Sequence, residues 1–101
     1  MITSNQLQQS IKKTFQEALK IVEAKNKDYA SSDDGLKNFR SAELVKVSME
    51  KAILVRLLDK ISRIGNLLDK SNAVKDESIT DSILDAINYL AILKAKLEDK
   101  K

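Results

Sequence analysis

The chain has 101 residues, the length of one ordinary domain with one core, and it is read as a single helical domain over residues 1–101. Hydrophobic residues make up 43% and charged residues 33%, proline is absent and glycine occurs only at Gly35 and Gly65, so little interrupts helix. Cysteine and histidine are both missing, which excludes disulfides, thiol nucleophiles, imidazole bases and zinc sites built on nitrogen and sulfur. Chemistry here has to rest on carboxylates, hydroxyls, lysines or a hard metal. The formal charge of +3 comes from 18 basic and 15 acidic residues with the two signs interspersed, so direct nucleic-acid binding is not expected. No stretch approaches the roughly 20 apolar residues of a membrane span, and the polar residues 1–10 lack a signal-peptide core. The expectation is a cytoplasmic protein with no membrane partner.

Leu7, Ile11, Phe15, Leu19 and Val22 recur near helical spacing, which predicts an amphipathic helix over residues 5–27 with Thr3 or Ser4 as its cap. The periodicity fails over residues 28–40, where Ser31, Ser32, Asp33, Asp34 and Gly35 cluster as turn formers. This is read as a loop, with Leu36 and Phe39 folding it back onto the bundle and a brief helix over 41–46. Ser48 is placed to cap a second long helix over 49–69, with Leu57, Leu58, Ile61, Ile64 and Leu68 as its apolar face. A polar linker over 70–75 follows. Asp76 and Glu77 suit a helix start, and Ile79, Ile83, Ile87, Leu90 and Leu97 carry a third helix to residue 98. The fold class is therefore all-α, a small bundle of three main helices. Its surplus of apolar residues, Ile83, Ala86, Ile87, Leu90, Leu93 and Leu97 on the third helix above all, predicts completion by homo-oligomerisation.

Three constellations carry potential chemistry. Glu77, Asp81 and Asp85, with Asn88 beyond, fall within about 80° on the third helix, an acidic strip able to hold Mg²⁺ through oxygen ligands. Arg56, Asp59, Lys60 and Arg63 form a stripe on the second helix, away from its Leu and Ile face; an Asp59–Arg63 ion pair alone accounts for it, and the functional alternative is phosphate binding by the cations, with Asp59 orienting one of them or binding metal. The segment around Lys27, Asp28 and Tyr29, followed by Asn38, Phe39 and Arg40, mixes charges, an amide and aromatic rings suited to closing over a ligand and stacking on a base. A solvated helix face and an Asx turn account for the first and third of these in purely structural terms.

In chain order, Lys27-Asp28-Tyr29, Asn38-Phe39-Arg40, the run from Arg56 to Arg63, and Asp76-Glu77-Ser78-Ile79 through Asp81, Asp85 and Tyr89 resemble the phage nucleotide-modification-associated domain family. That family is similar in appearance to the MazG-like all-α nucleoside triphosphate pyrophosphohydrolases. The resemblance covers roughly residues 15–97. It implies an oligomeric helical protein in the host cytoplasm whose partner is a nucleotide or cyclic nucleotide. It further implies Mg²⁺ held by Glu77, Asp81 and Asp85, with Asp59 joining these three as catalytic carboxylates. Lys27, Asp28, Tyr29, Asn38, Phe39, Arg40, Arg56, Lys60, Arg63, Asn88 and Tyr89 are the implied nucleotide-binding residues. The acids stand at spacings of four where the family has Glu-x-x-Asp, and the family's first acidic motif has no clean counterpart. Three functions remain open at this point: Mg²⁺-dependent pyrophosphate hydrolysis, nucleotide sequestration without cleavage as a sponge for a defence signal, and a helical interaction protein without a small ligand. A partner chain is expected to bring the acidic strip of one copy near the cationic stripe of another.

Overall fold

A computed structural model describes residues 1–28, 34–70 and 72–99, the side chains of 26–28 and 72–77 excepted. The described residues contain helix and no strand, in the order α1 (Ser4–Asp28), a 3₁₀ helix (Lys37–Val45), α2 (Met49–Leu67) and α3 (Asn72–Glu98). Among them no helix is long and apolar enough to cross a membrane.

Helix α1 starts where Thr3 and Gln6 satisfy each other. The Gln6 amide N–H donates to Thr3 Oγ1 at 3.1 Å and the Thr3 N–H to Gln6 Oε1 at 2.9 Å, a reciprocal box that occupies two donors which have no partner inside a helix. Helix α2 starts on Ser48, whose backbone is extended and whose hydroxyl accepts the Lys51 N–H at 3.2 Å. Between them Asp34 organises the chain: its carboxylate accepts the Leu36 N–H at 3.1 Å, and its carbonyl accepts the Lys37 N–H at 3.2 Å. The 3₁₀ helix therefore begins at Lys37, inside the stretch read as loop. It ends at Lys46, which adopts a left-handed backbone (φ 61°) so that Val47 N–H reaches Ala42 O at 3.0 Å.

Only residues 68–71 separate α2 from α3, a connection short enough to force antiparallel neighbours. Glu50 near the start of α2 accordingly lies beside Lys96 near the end of α3 (3.9 Å), and Lys60 beside Asp85 (2.9 Å). This hairpin is the main packing unit; α1 lies on α3 and the 3₁₀ helix on α2. Helix α3 begins four residues before the expected Asp76, so the polar linker is mostly helix.

The core differs from the one read off the wheel. It is built from Phe39, Met49 and fully buried Ile53, flanked by Leu36, Tyr89, Ile92 and Leu93, with Leu57, Leu84, Ala18 and Ser82 also buried. Of the five α2 residues assigned to the apolar face, Leu57 is buried, whereas Leu58, Ile61 and Leu68 are more than half exposed. The cause is competition for area. Helix α2 is apolar over more than half its circumference, and the 3₁₀ helix brings Phe39 to the Met49–Ile53 edge, so the buried line is the one an aromatic ring fills. On α1 the small Ala18 sits against α3 while Leu7, Ile11, Phe15 and Leu19 stay exposed. The close approach at Ala18 is held by the Asn88 side-chain amide, which donates to the Ala18 carbonyl at 3.0 Å.

Candidate nucleotide groove

Arg56, Asp59, Lys60, Ser62, Arg63 and Asn66 all project from one side of α2, because steps of three and four residues keep returning to the same face. With Tyr89 of α3 opposite them, they line an open groove of about 510 Å³. A more enclosed recess of about 230 Å³ adjoins it, lined by Lys25, Gly35, Asn38, Phe39, Asp85 and Asn88 among others. Arg56 and Tyr89 belong to both. The two spaces are therefore one continuous feature with a cationic end on α2 and an aromatic and amide end under the 3₁₀ helix.

Two interactions fix the junction. The Arg56 guanidinium stands 5.1 Å from the Phe39 ring centroid, and Tyr89 meets the same ring edge-on at 6.4 Å and 80°. Phe39 is 5% exposed. It is a core residue with one face under Arg56 and an edge against Tyr89, so it serves as a wall rather than a free platform for a base. Lys60 is held by Asp85 across the hairpin, both side chains partly buried. The acidic and cationic stripes therefore meet within one chain, at this pair, without a partner. The i,i+4 ion pair expected between Asp59 and Arg63 is not among those formed by the described residues. Arg63 lines the groove, and no carboxylate among the described residues pairs with its guanidinium.

The other sequence candidates are distributed as follows. Asn38 lines the recess, and Asn88 lines it while its amide is bonded to Ala18. Arg40 lies outside both spaces, chelating Asp34 with two nitrogens and standing 3.7 Å from Glu43. That pairing holds the Asp34 carboxyl below its ordinary range, the Arg40 hydrogen bond first and the Leu36 N–H second, and raises Arg40 further through the same bond. Asp81 is exposed and lines neither space. The side chains of Lys27, Asp28 and Glu77, and Tyr29 altogether, lie outside the described residues. Lys25, which opens the segment expected to close over a ligand, does line the recess; Ser62 and Asn66 were not singled out as ligand residues, although both are visible in sequence as the next turn from Asp59 and Arg63.

No family model, curated protein or solved structure matches the chain. For Mg²⁺, no group of three carboxylates converges among the described residues. Asp85, the last acid of the expected set, is already paired with Lys60 at 2.9 Å, so a metal would have to displace an ammonium to reach it. Of the expected donors, the described residues thus contain exposed Asp81 and the paired Asp85, while the side chain of Glu77 lies outside them.

Proposed function

We propose that the chain binds a phosphorylated nucleotide in the α2–α3 groove, the phosphates on Arg56, Lys60 and Arg63 and the base toward Tyr89 and the recess under the 3₁₀ helix. The observation that carries this reading is the lining of the groove: three cationic side chains converge on it, against Asp59 on the same face and Asp85 on Lys60. Guanidinium groups are strong, bidentate donors to phosphate oxygens, and the aromatic and amide lining beside them suits a base better than a bare oligophosphate. The resemblance to nucleotide-linked phage proteins supports the same class of ligand. Binding is preferred over pyrophosphate hydrolysis because Asp85 is paired with Lys60, so among the described groove-lining residues Asp59 is a single carboxylate rather than a pair able to hold a metal. Self-association belongs to this reading as well.

The test is incubation with nucleoside triphosphates and cyclic nucleotides, with and without Mg²⁺, followed by chromatography of ligand released from denatured protein. Intact ligand is expected, and Arg63→Ala is expected to weaken binding at least tenfold, the size of one charge-assisted hydrogen bond. Release of pyrophosphate would replace sequestration by hydrolysis. Absence of binding for every nucleotide would leave the interaction-protein reading.

A further inference from the structure

The cations around the groove and the recess do not come from one helix. Arg56, Lys60 and Arg63 stand on α2, Arg63 seven residues and roughly 10 Å beyond Arg56 along the axis. Lys25 reaches the recess from α1. Both helices pack on α3, whereas α1 and α2 do not contact each other among the described residues. The two sources of positive charge therefore stand on different flanks of α3, which turns Asn88 to α1 and Asp85 to α2. Of the described residues lining the recess, Lys25, Arg56 and Asp85 carry charge. Asp85 is paired with Lys60, and the Arg56 guanidinium is set over the Phe39 ring at the groove end. No carboxylate among the described residues pairs with Lys25. Its place in the last turn of α1 suits the helix dipole, a role that any lysine there would fill without lining a recess.

Resting on the nucleotide reading of the groove, we propose that the ligand carries phosphate at two separate places: on its 5′ oxygen, facing the α2 cations, and on a ribose hydroxyl, facing Lys25. The ligand class is a nucleoside bisphosphate. Three observations select it. At about 230 Å³ the recess is smaller than the roughly 300 Å³ at which pockets begin to take a whole small ligand, so its occupant continues into the 510 Å³ groove and meets cations at both ends. Across the two spaces four cations, Lys25, Arg56, Lys60 and Arg63, stand against two acids, Asp59 and Asp85, so the excess of positive charge is divided between α1 and α2. The Asn88 nitrogen is held on the Ala18 carbonyl, which fixes its oxygen as the other end, an acceptor that suits a hydroxyl or amino group and not a phosphate. A 5′-polyphosphate, by contrast, spends all its charge along the α2 row and leaves Lys25 facing a neutral base.

Isothermal titration calorimetry on the full chain compares three isomers of equal composition, adenosine 5′-diphosphate, adenosine 2′,5′-bisphosphate and adenosine 3′,5′-bisphosphate, with adenosine 5′-monophosphate as reference. At least one bisphosphate is expected to bind about fivefold more tightly than the monophosphate, the upper end for one exposed ion pair. Lys25→Gln exchanges two good helix formers at an exposed position, so it is expected to keep the parent's circular dichroism. It should abolish the gain from the second phosphate and leave affinity for the 5′-diphosphate unchanged. Bisphosphates no tighter than the monophosphate in the parent, or a gain that survives Lys25→Gln, would overturn the divided arrangement and leave the groove reading standing. So would an equal loss for the 5′-diphosphate in Lys25→Gln, which would mark Lys25 as a general attraction for anions. Absence of binding by all four ligands, or affinities untouched by Arg63→Ala, would instead overturn the groove reading for adenine nucleotides, and the divided arrangement with it.

Discussion

Replacing Phe39 separates the two tasks its ring performs. The side chain is 5% exposed and packs on Met49 and Ile53, so Phe39→Ala is expected to cost about 3–5 kcal/mol, transfer and cavity contributions together. A domain of this length holds only about 5–15 kcal/mol in reserve, so that variant will be partly unfolded or close to it. Phe39→Leu is the more informative change. It keeps an apolar side chain against Ile53 but removes the ring that Arg56 covers at 5.1 Å and Tyr89 meets at 6.4 Å. Those two contacts are worth about 0.5–1 and 0.5–1.5 kcal/mol respectively, so a loss of about 1–2.5 kcal/mol is expected. Urea denaturation followed by circular dichroism measures it. A cycle with Arg56→Ala should show coupling of about 0.5 kcal/mol or more, because the guanidinium loses its ring in either single variant. Phe39→Leu should also loosen Arg56 and weaken nucleotide binding in excess of its effect on stability. Parent-like stability in Phe39→Leu together with strict additivity in the cycle would refute the claim that this ring joins core and groove.

Titrating Asp34 by carboxyl NMR should give a midpoint below that of an ordinary aspartate, and Arg40→Gln should move it upward. Because its folded value is depressed, the contribution of this pair is present above the unfolded aspartate value and is lost as the pH falls through the folded one, so ordering of the turn ahead of the 3₁₀ helix should fade only in acid. Ser48→Ala removes the acceptor for the Lys51 N–H and should cost about 1 kcal/mol in thermal or urea denaturation, with Ser48→Asp close to the parent; an unchanged Ser48→Ala would show that water replaces the cap at no cost. Asn88→Ala removes the donor to the Ala18 carbonyl and should free α1 at a cost of about 1 kcal/mol, read as faster amide exchange around Ala18 than around Ile53.

Local chemistry was readable along the chain. The absence of proline, the 3.6-residue periodicity and the Thr3 and Ser48 caps determine helices with nearly the observed starts for α1 and α2, because a cap and a periodic face act within a few residues of themselves. The cationic face of α2 was legible for the same reason: Arg56, Lys60 and Arg63 share a side of any helix that contains them. Tertiary structure alone decided which apolar residues became core. Several faces of α2 and α3 were hydrophobic enough to be buried, and periodicity ranks them equally; Phe39, arriving from a segment without helical periodicity, closed the Met49–Ile53 edge and left Leu54, Leu58 and Ile61 outside. The pairing of Lys60 with Asp85 and the bond from Asn88 to Ala18 span 25 and 70 residues, distances over which sequence spacing carries no geometric information. A wheel fixes direction around one helix, whereas the fate of a carboxylate or an amide depends on what the neighbouring helix brings to it.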